Sequence, residues 1–112
     1  MAALTLPFTF TSFLCFIISF NHVQGQERIP TDRWCVAQFN AREDVLVAFI
    51  EEKCTFLYCK PIMPGGSCYQ PTTLINHASY VIDVNYKATG ECDLNIAQFA
   101  LTDPSFGRCR YP

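Results

Sequence analysis

No Lys, Arg, Asp or Glu occurs in residues 1–26, so side-chain charge holds nothing there in water. The stretch carries the apolar run Phe13-Leu14-Cys15-Phe16-Ile17-Ile18 and then Val23-Gln24-Gly25, whose small residues suit a signal peptidase. This predicts a secretory signal over 1–25, although the usual basic flank is also missing. An uncleaved anchor is the rival, and Pro7 with several Thr and Ser residues dilutes a segment only just long enough to span a bilayer.

Other absences narrow the function. There is no basic run, and the net charge is −2 with acids and bases interspersed, which argues against nucleic acid as a partner. No Asn lies in an Asn-x-Ser/Thr triplet, so no N-linked glycan is expected. No apolar tail follows a small-residue site, so no glycolipid anchor is expected and the mature chain should be released freely. No Cys-x-x-Cys pair occurs, which speaks against zinc, and no metal or cofactor is expected.

What is present is cysteine. Cys15 would leave with the signal, and the remaining six (Cys35, Cys54, Cys59, Cys68, Cys92 and Cys109) form an even set suited to an oxidising compartment. Residues 26–112 make one small domain, too small for its core alone to give much stability, so covalent staples are expected. Six cysteines permit about 15 pairings, and spacing alone does not choose among them.

Residues 26–32 read as a short, flexible polar lead. Asn40-Ala41-Arg42-Glu43 has the form of a capping box. It predicts a helix to about Cys54, with Leu46, Phe49 and Ile50 on one side and Asp44, Val47, Glu51 and Glu52 on the other. Pro61, Pro64, Gly65 and Gly66 make 54–68 a loop pinned by cysteines.

A second helix is predicted from Thr72 or Thr73 to about Lys87, ended by Gly90. Leu74, Ile75, Ala78, Val81 and Ile82 fall in one arc that should face inward, with Asn85 at its centre needing partners or loosening that end. Residues 92–100 suit either a short strand or a helical turn. Asp103-Pro104-Ser105 reads as a turn in which Asp103 accepts from nearby amides.

The ordered motifs Trp34-Cys35-Val36-Ala37, Cys68-Tyr69-Gln70-Pro71-Thr72, His77-Ala78-Ser79-Tyr80, Cys92 and Cys109-Arg110-Tyr111 resemble the X8 domain, or family 43 carbohydrate-binding module, from Arg33 to Tyr111. The resemblance implies a plant 1,3-β-glucan-binding unit. It implies a small disulfide-rich α+β fold over 33–112: two packed helices, a short antiparallel sheet and cysteine-pinned loops. It also implies the pairing Cys35–Cys92, Cys54–Cys59 and Cys68–Cys109.

A sugar site needs aromatic rings for C–H faces and amides or carboxylates for hydroxyls. On the second helix Asn76, Tyr80, Asp83 and Lys87 form a strip opposite the apolar arc. Read from residues alone the strip is a solvated face with an Asp83–Lys87 ion pair, while the resemblance favours binding, through Tyr80 above all. Tyr69 and Gln70 follow Cys68 in a rigid loop, where Tyr69 serves either binding or packing. Tyr86, at the edge of the arc, also suits either role. Trp34, Phe106 and Tyr111 are read as core.

Catalysis is disfavoured. His77 and Ser79 diverge on one helix, and the carboxylates of the first helix offer no paired site. The reading is a secreted, monomeric, non-catalytic binder of 1,3-β-glucan (callose included) in the plant cell wall, nearest the stand-alone, allergen-like members of the family. The rivals are an interaction or signalling protein on a scaffold that has lost glucan affinity, suggested by Asp83, Asn85, Leu94 and Ile96 as departures from the family pattern, and an accessory fragment of an endo-1,3-β-glucanase.

Overall fold

A computed structural model describes residues 30–112. The expected signal and most of the lead lie outside them. The described chain runs β1 (Trp34–Ala37), α1 (Glu43–Lys53), a 3₁₀ turn (Lys60–Ile62), α2 (Leu74–Thr89) and β2 (Ala97–Ala100). The strands pair antiparallel, Trp34 opposite Ala100 and Ala37 opposite Ala97. This is the expected small α+β unit, and residues 92–100 resolve into a turn followed by a strand.

The cysteines pair Cys35–Cys92, Cys54–Cys59 and Cys68–Cys109, as the resemblance implied. The long links span 57 and 41 residues. Loop-closure entropy makes each worth about 4 kcal/mol. For a domain this small, that rivals the whole net stability.

The start of α1 corrects the expected capping box. Ala41 N–H donates to Gln38 O at 3.1 Å, so the chain is still turning out of β1 at Asn40. The helix begins at Glu43 instead, with Arg42 in the cap position and no side-chain cap. Arg42 forms an exposed ion pair with Asp44. The stop of α1 falls at Cys54, as expected.

For α2 the local signals hold. Thr73 Oγ1 accepts from Asn76 N–H at 3.2 Å, satisfying one free donor of the first turn. Gly90 ends the helix at φ 79°, a left-handed conformation that glycine adopts without a Cβ clash. Gly66 is needed for a different reason: a Cβ there would strike the carbonyls of Lys60 and Pro61.

The core sits on two sides of α2. Ala78, Ile82 and Tyr86 pack with Cys35, Ala37, Leu46, Ile96 and Ala97 against α1 and the sheet. Tyr80 and Val81 pack with Cys59, Ile62, Cys68 and Cys109 under the loops. Complete burial of Leu46 and Val81 contributes about 1.5–3 kcal/mol each. Ile75, expected on the inward arc, is exposed because it lies in the first turn, ahead of the main packing. Asn85 is buried, and its Oδ1 has no partner among the described residues. Trp34 is half-buried and donates from Nε1 to Pro112 O at 3.2 Å.

Candidate functional site

The strip expected to face solvent does not do so. Tyr80 is 7% exposed and Asp83 is 0% exposed. The reason is the neighbouring strand. Just past the paired strands Gln38 N–H donates to Ile96 O at 2.8 Å, and because hydrogen bonding alternates along an antiparallel pair, the N–H groups of Cys35 and Ala37 turn away from β2. A buried donor needs an acceptor. Asp83 Oδ1 accepts from Cys35 N–H at 2.9 Å and Ser79 Oγ from Ala37 N–H at 3.1 Å.

The spacings match. Four residues of helix rise about 6.0 Å, and two residues of strand span about 6.6 Å. Asp83 also pairs with Lys87 at 3.3 Å. Burial pushes the Asp83 carboxyl above the ordinary aspartate range, against the Cys35 amide and the Lys87 ammonium, which act to lower it.

Tyr80 meets the ring of Tyr111 edge-on at 5.5 Å. Burial raises the phenols of both, that of Tyr111 to about 12, with the nearby Asp83 adding to each shift. Tyr86, 3% exposed, packs edge-on against Phe99 at 5.6 Å. Tyr80 and Asp83, expected on the face opposite the arc, are therefore interior, and Tyr86, which suited either role, takes the packing one.

The other three expected residues gather at the start of α2. Asn76 Nδ2 donates to Cys68 O at 3.1 Å and to Pro71 O at 3.0 Å. His77 Nε2 lies 2.7 Å from Tyr69 O, and a carbonyl can only accept, so this nitrogen carries the proton. The Tyr69 ring stacks on His77 with centroids 5.6 Å apart. Asn76 and His77 thus pin loop 68–71 to the helix, and the Gln70–Pro71 peptide bond within that loop is cis.

Beside that loop is an open groove of about 490 Å³, lined by Ser67, Gln70, Pro71, Phe106, Gly107 and Arg108. Its second wall is a tight turn in which Phe106 and Cys109 exchange backbone hydrogen bonds at 3.0 and 2.8 Å. Asp103 Oδ1 accepts from Ser105 N–H at 2.9 Å, the turn expected there. The Cys68–Cys109 disulfide ties the two walls together.

Gln70 Oε1 accepts from Thr72 Oγ1 at 3.1 Å. Its amide donors are free, and so is the Arg108 guanidinium, among the described residues. Phe106, read from sequence as core, is 38% exposed and presents an aromatic face. The groove therefore offers hydrogen-bond donors beside a ring. Of the expected site residues only Gln70 lines it. The missed ones are Ser67 and Pro71 near Cys68 and Phe106, Gly107 and Arg108 just before Cys109, and the implied Cys68–Cys109 bridge was the signal that could have joined them.

The family model described as X8 domain matches residues 33–98. The chain belongs to the X8 family. A plasmodesmata callose-binding protein 5 of Arabidopsis thaliana is 35% identical to this X8 protein over 109 residues, covering 91% of this chain and 60% of the relative. A glucan endo-1,3-beta-glucosidase of Triticum aestivum is 40% identical over 84 residues, covering 70% of this chain and 18% of that protein. A glucan endo-1,3-beta-D-glucosidase of Olea europaea is 36% identical, with the same coverage of each chain. The chain thus spans under a fifth of the length of these glucosidases. No solved structure is a significant match. The X8 match contains the loop wall of the groove and ends before the turn that carries Phe106 and Arg108.

His77 and Ser79 are engaged separately, with Tyr69 O and Ala37 N–H, and form no nucleophile–base pair. No group of His, Cys, Asp and Glu among the described residues could hold a metal ion.

Proposed function

We propose that this X8 domain is a secreted, non-catalytic module that binds 1,3-β-glucan of the plant cell wall, callose included, in the groove between residues 67–71 and 106–108. The observation that carries the reading is the pairing, within one disulfide-held groove, of free donors on Gln70 and Arg108 with the open faces of Phe106 and Pro71. Glucose rings need both: hydroxyls accept from the donors, and C–H faces lie against the rings. Both walls are fixed before binding, so little freedom is lost when ligand arrives.

The similarity to a callose-binding protein and to glucan endo-1,3-beta-glucosidases supports the same ligand class. Three disulfides support an oxidising, extracellular setting. The domain acts as a monomer, with Kd between about 1 µM and 1 mM for one face. Repetition along the polymer raises retention through multiple sites.

A pull-down on insoluble 1,3-β-glucan against cellulose tests this reading. Selective retention is expected, reduced in Gln70→Ala and Arg108→Ala. Equal retention on both polymers would refute the preference for 1,3-β-glucan, and full retention of the Gln70→Ala/Arg108→Ala double variant would remove the groove as the site.

A further inference from the structure

The Cys54–Cys59 loop holds an unexplained pair of aromatics. Its chain leaves α1 through a turn in which Phe56 and Leu57 N–H both donate to Lys53 O, at 3.2 and 2.8 Å. Leu57 turns inward onto the cysteine cluster. Its neighbours Phe56 and Tyr58 point outward, 64% and 67% exposed. Exposing two rings contributes nothing to the core, yet a disulfide spanning 5 residues holds them in place.

This loop lies over the same buried cluster as the groove. Cys59, Cys68 and Cys109 pack together there, and Tyr58, Ser67 and Arg108 each stand one residue before one of those cysteines. Tyr58 is also near enough to Tyr80 to help raise its phenol. The groove and the loop that carries the two rings are therefore anchored on one buried cysteine cluster.

We infer that Phe56 and Tyr58 form a further subsite, over which a 1,3-β-glucan chain seated in the groove continues; this rests on the proposed glucan reading. The chemistry favours a polysaccharide over a lipid surface. Glu51 and Glu52 precede the loop and Lys53 and Lys60 flank it, so it carries no net positive charge to draw anionic headgroups. The rings come with a phenol hydroxyl and the Lys53 ammonium, which lies 5.7 Å from the Phe56 centroid. Rings with polar partners suit a sugar that has both C–H faces and hydroxyls.

Calorimetric titration of the oxidised chain with laminaritriose and with long laminarin separates the two sites. Wild type is expected to bind the long chain more tightly per binding site. The Phe56→Ala/Tyr58→Ala variant should keep the trisaccharide affinity and the thermal midpoint, and lose about tenfold for the long chain, a change typical of stacked aromatics. Tyr58→Phe, which keeps the ring, should retain most of the long-chain affinity.

No gain with length in wild type would overturn the subsite and leave the groove standing. So would equal losses for both ligands in the double variant. Absent binding of either ligand to wild type would overturn both readings. Sedimentation showing self-association that Tyr58→Ala abolishes would reassign the rings to a contact between copies.

Discussion

Asp83 and Gln70 are both polar residues on or beside α2, and the structure uses them in opposite ways. Asp83 accepts from a strand amide, pairs with Lys87 and is wholly buried. Gln70 is exposed, held by Thr72 through its oxygen, and keeps its amide donors outward. In the first region polarity completes the fold. In the second it is held on a rigid support and left unpaired among the described residues, where the proposed glucan site would use it. Residue type and helical spacing do not separate the two roles; what covers each side chain does.

Four experiments would break or sharpen this contrast. Replacing Cys35 and Cys92 together by Ser should have the largest effect, a loss of about 4 kcal/mol that leaves the domain largely unfolded at moderate temperature. Thermal or urea unfolding checks this, and a small change would mean that the sheet and α2 hold β1 without the bridge. Asp83→Ala follows at about 3 kcal/mol, because it strands the Cys35 donor and leaves the Lys87 ammonium with the Pro112 carbonyl but no counter-charge. Asp83→Asn keeps an acceptor and should cost less. In both folded variants glucan affinity should be unchanged, whereas a selective binding loss would return Asp83 to the ligand site.

Gln70→Ala with Arg108→Ala should act the other way round: about tenfold weaker binding, or about 1.4 kcal/mol, with the same unfolding midpoint. A lower midpoint would make these residues structural as well.

The smallest effect is in pH. Because burial raises the Asp83 carboxyl when folded, the folded state binds its proton more tightly than the unfolded chain does. Its contribution is therefore fully present at acid pH, and it declines as pH rises from the ordinary aspartate range through the raised value. Exposed Asp103 is lowered by its Ser105 hydrogen bonds, so it slopes in the opposite sense. The difference between wild type and Asp83→Asn isolates Asp83: wild type should lose midpoint relative to Asp83→Asn as pH rises, and parallel curves would refute the buried-carboxylate account.

Much of the fold was legible locally. Thr73 and Gly90 bound α2 because cap and stop depend on a few neighbouring atoms. The capping box misplaced the start of α1 because residues 38–41 are committed to a turn out of the strand, which the four-residue pattern does not contain. The wheel placed Ala78, Val81 and Ile82 inward correctly. It took polar to mean exposed, and β1, 42 to 48 residues away in sequence, supplied the donors that made Ser79 and Asp83 interior.

The groove was less legible still. Gln70 and Arg108 belong to motifs far apart in the chain, brought together through a bridge that spans 41 residues. Phe106 read as core because it lies near the final cysteine of a small domain, where large aromatics usually pack inward.

By itself the sequence determined the helices, their stops, the even set of cysteines and the X8 family, since each depends on local spacing or on an ordered motif. The tertiary structure alone decided which polar side chains were covered and which stayed exposed. Burial is a property of what packs alongside, and for α2 that is a strand and a turn drawn from distant parts of the chain.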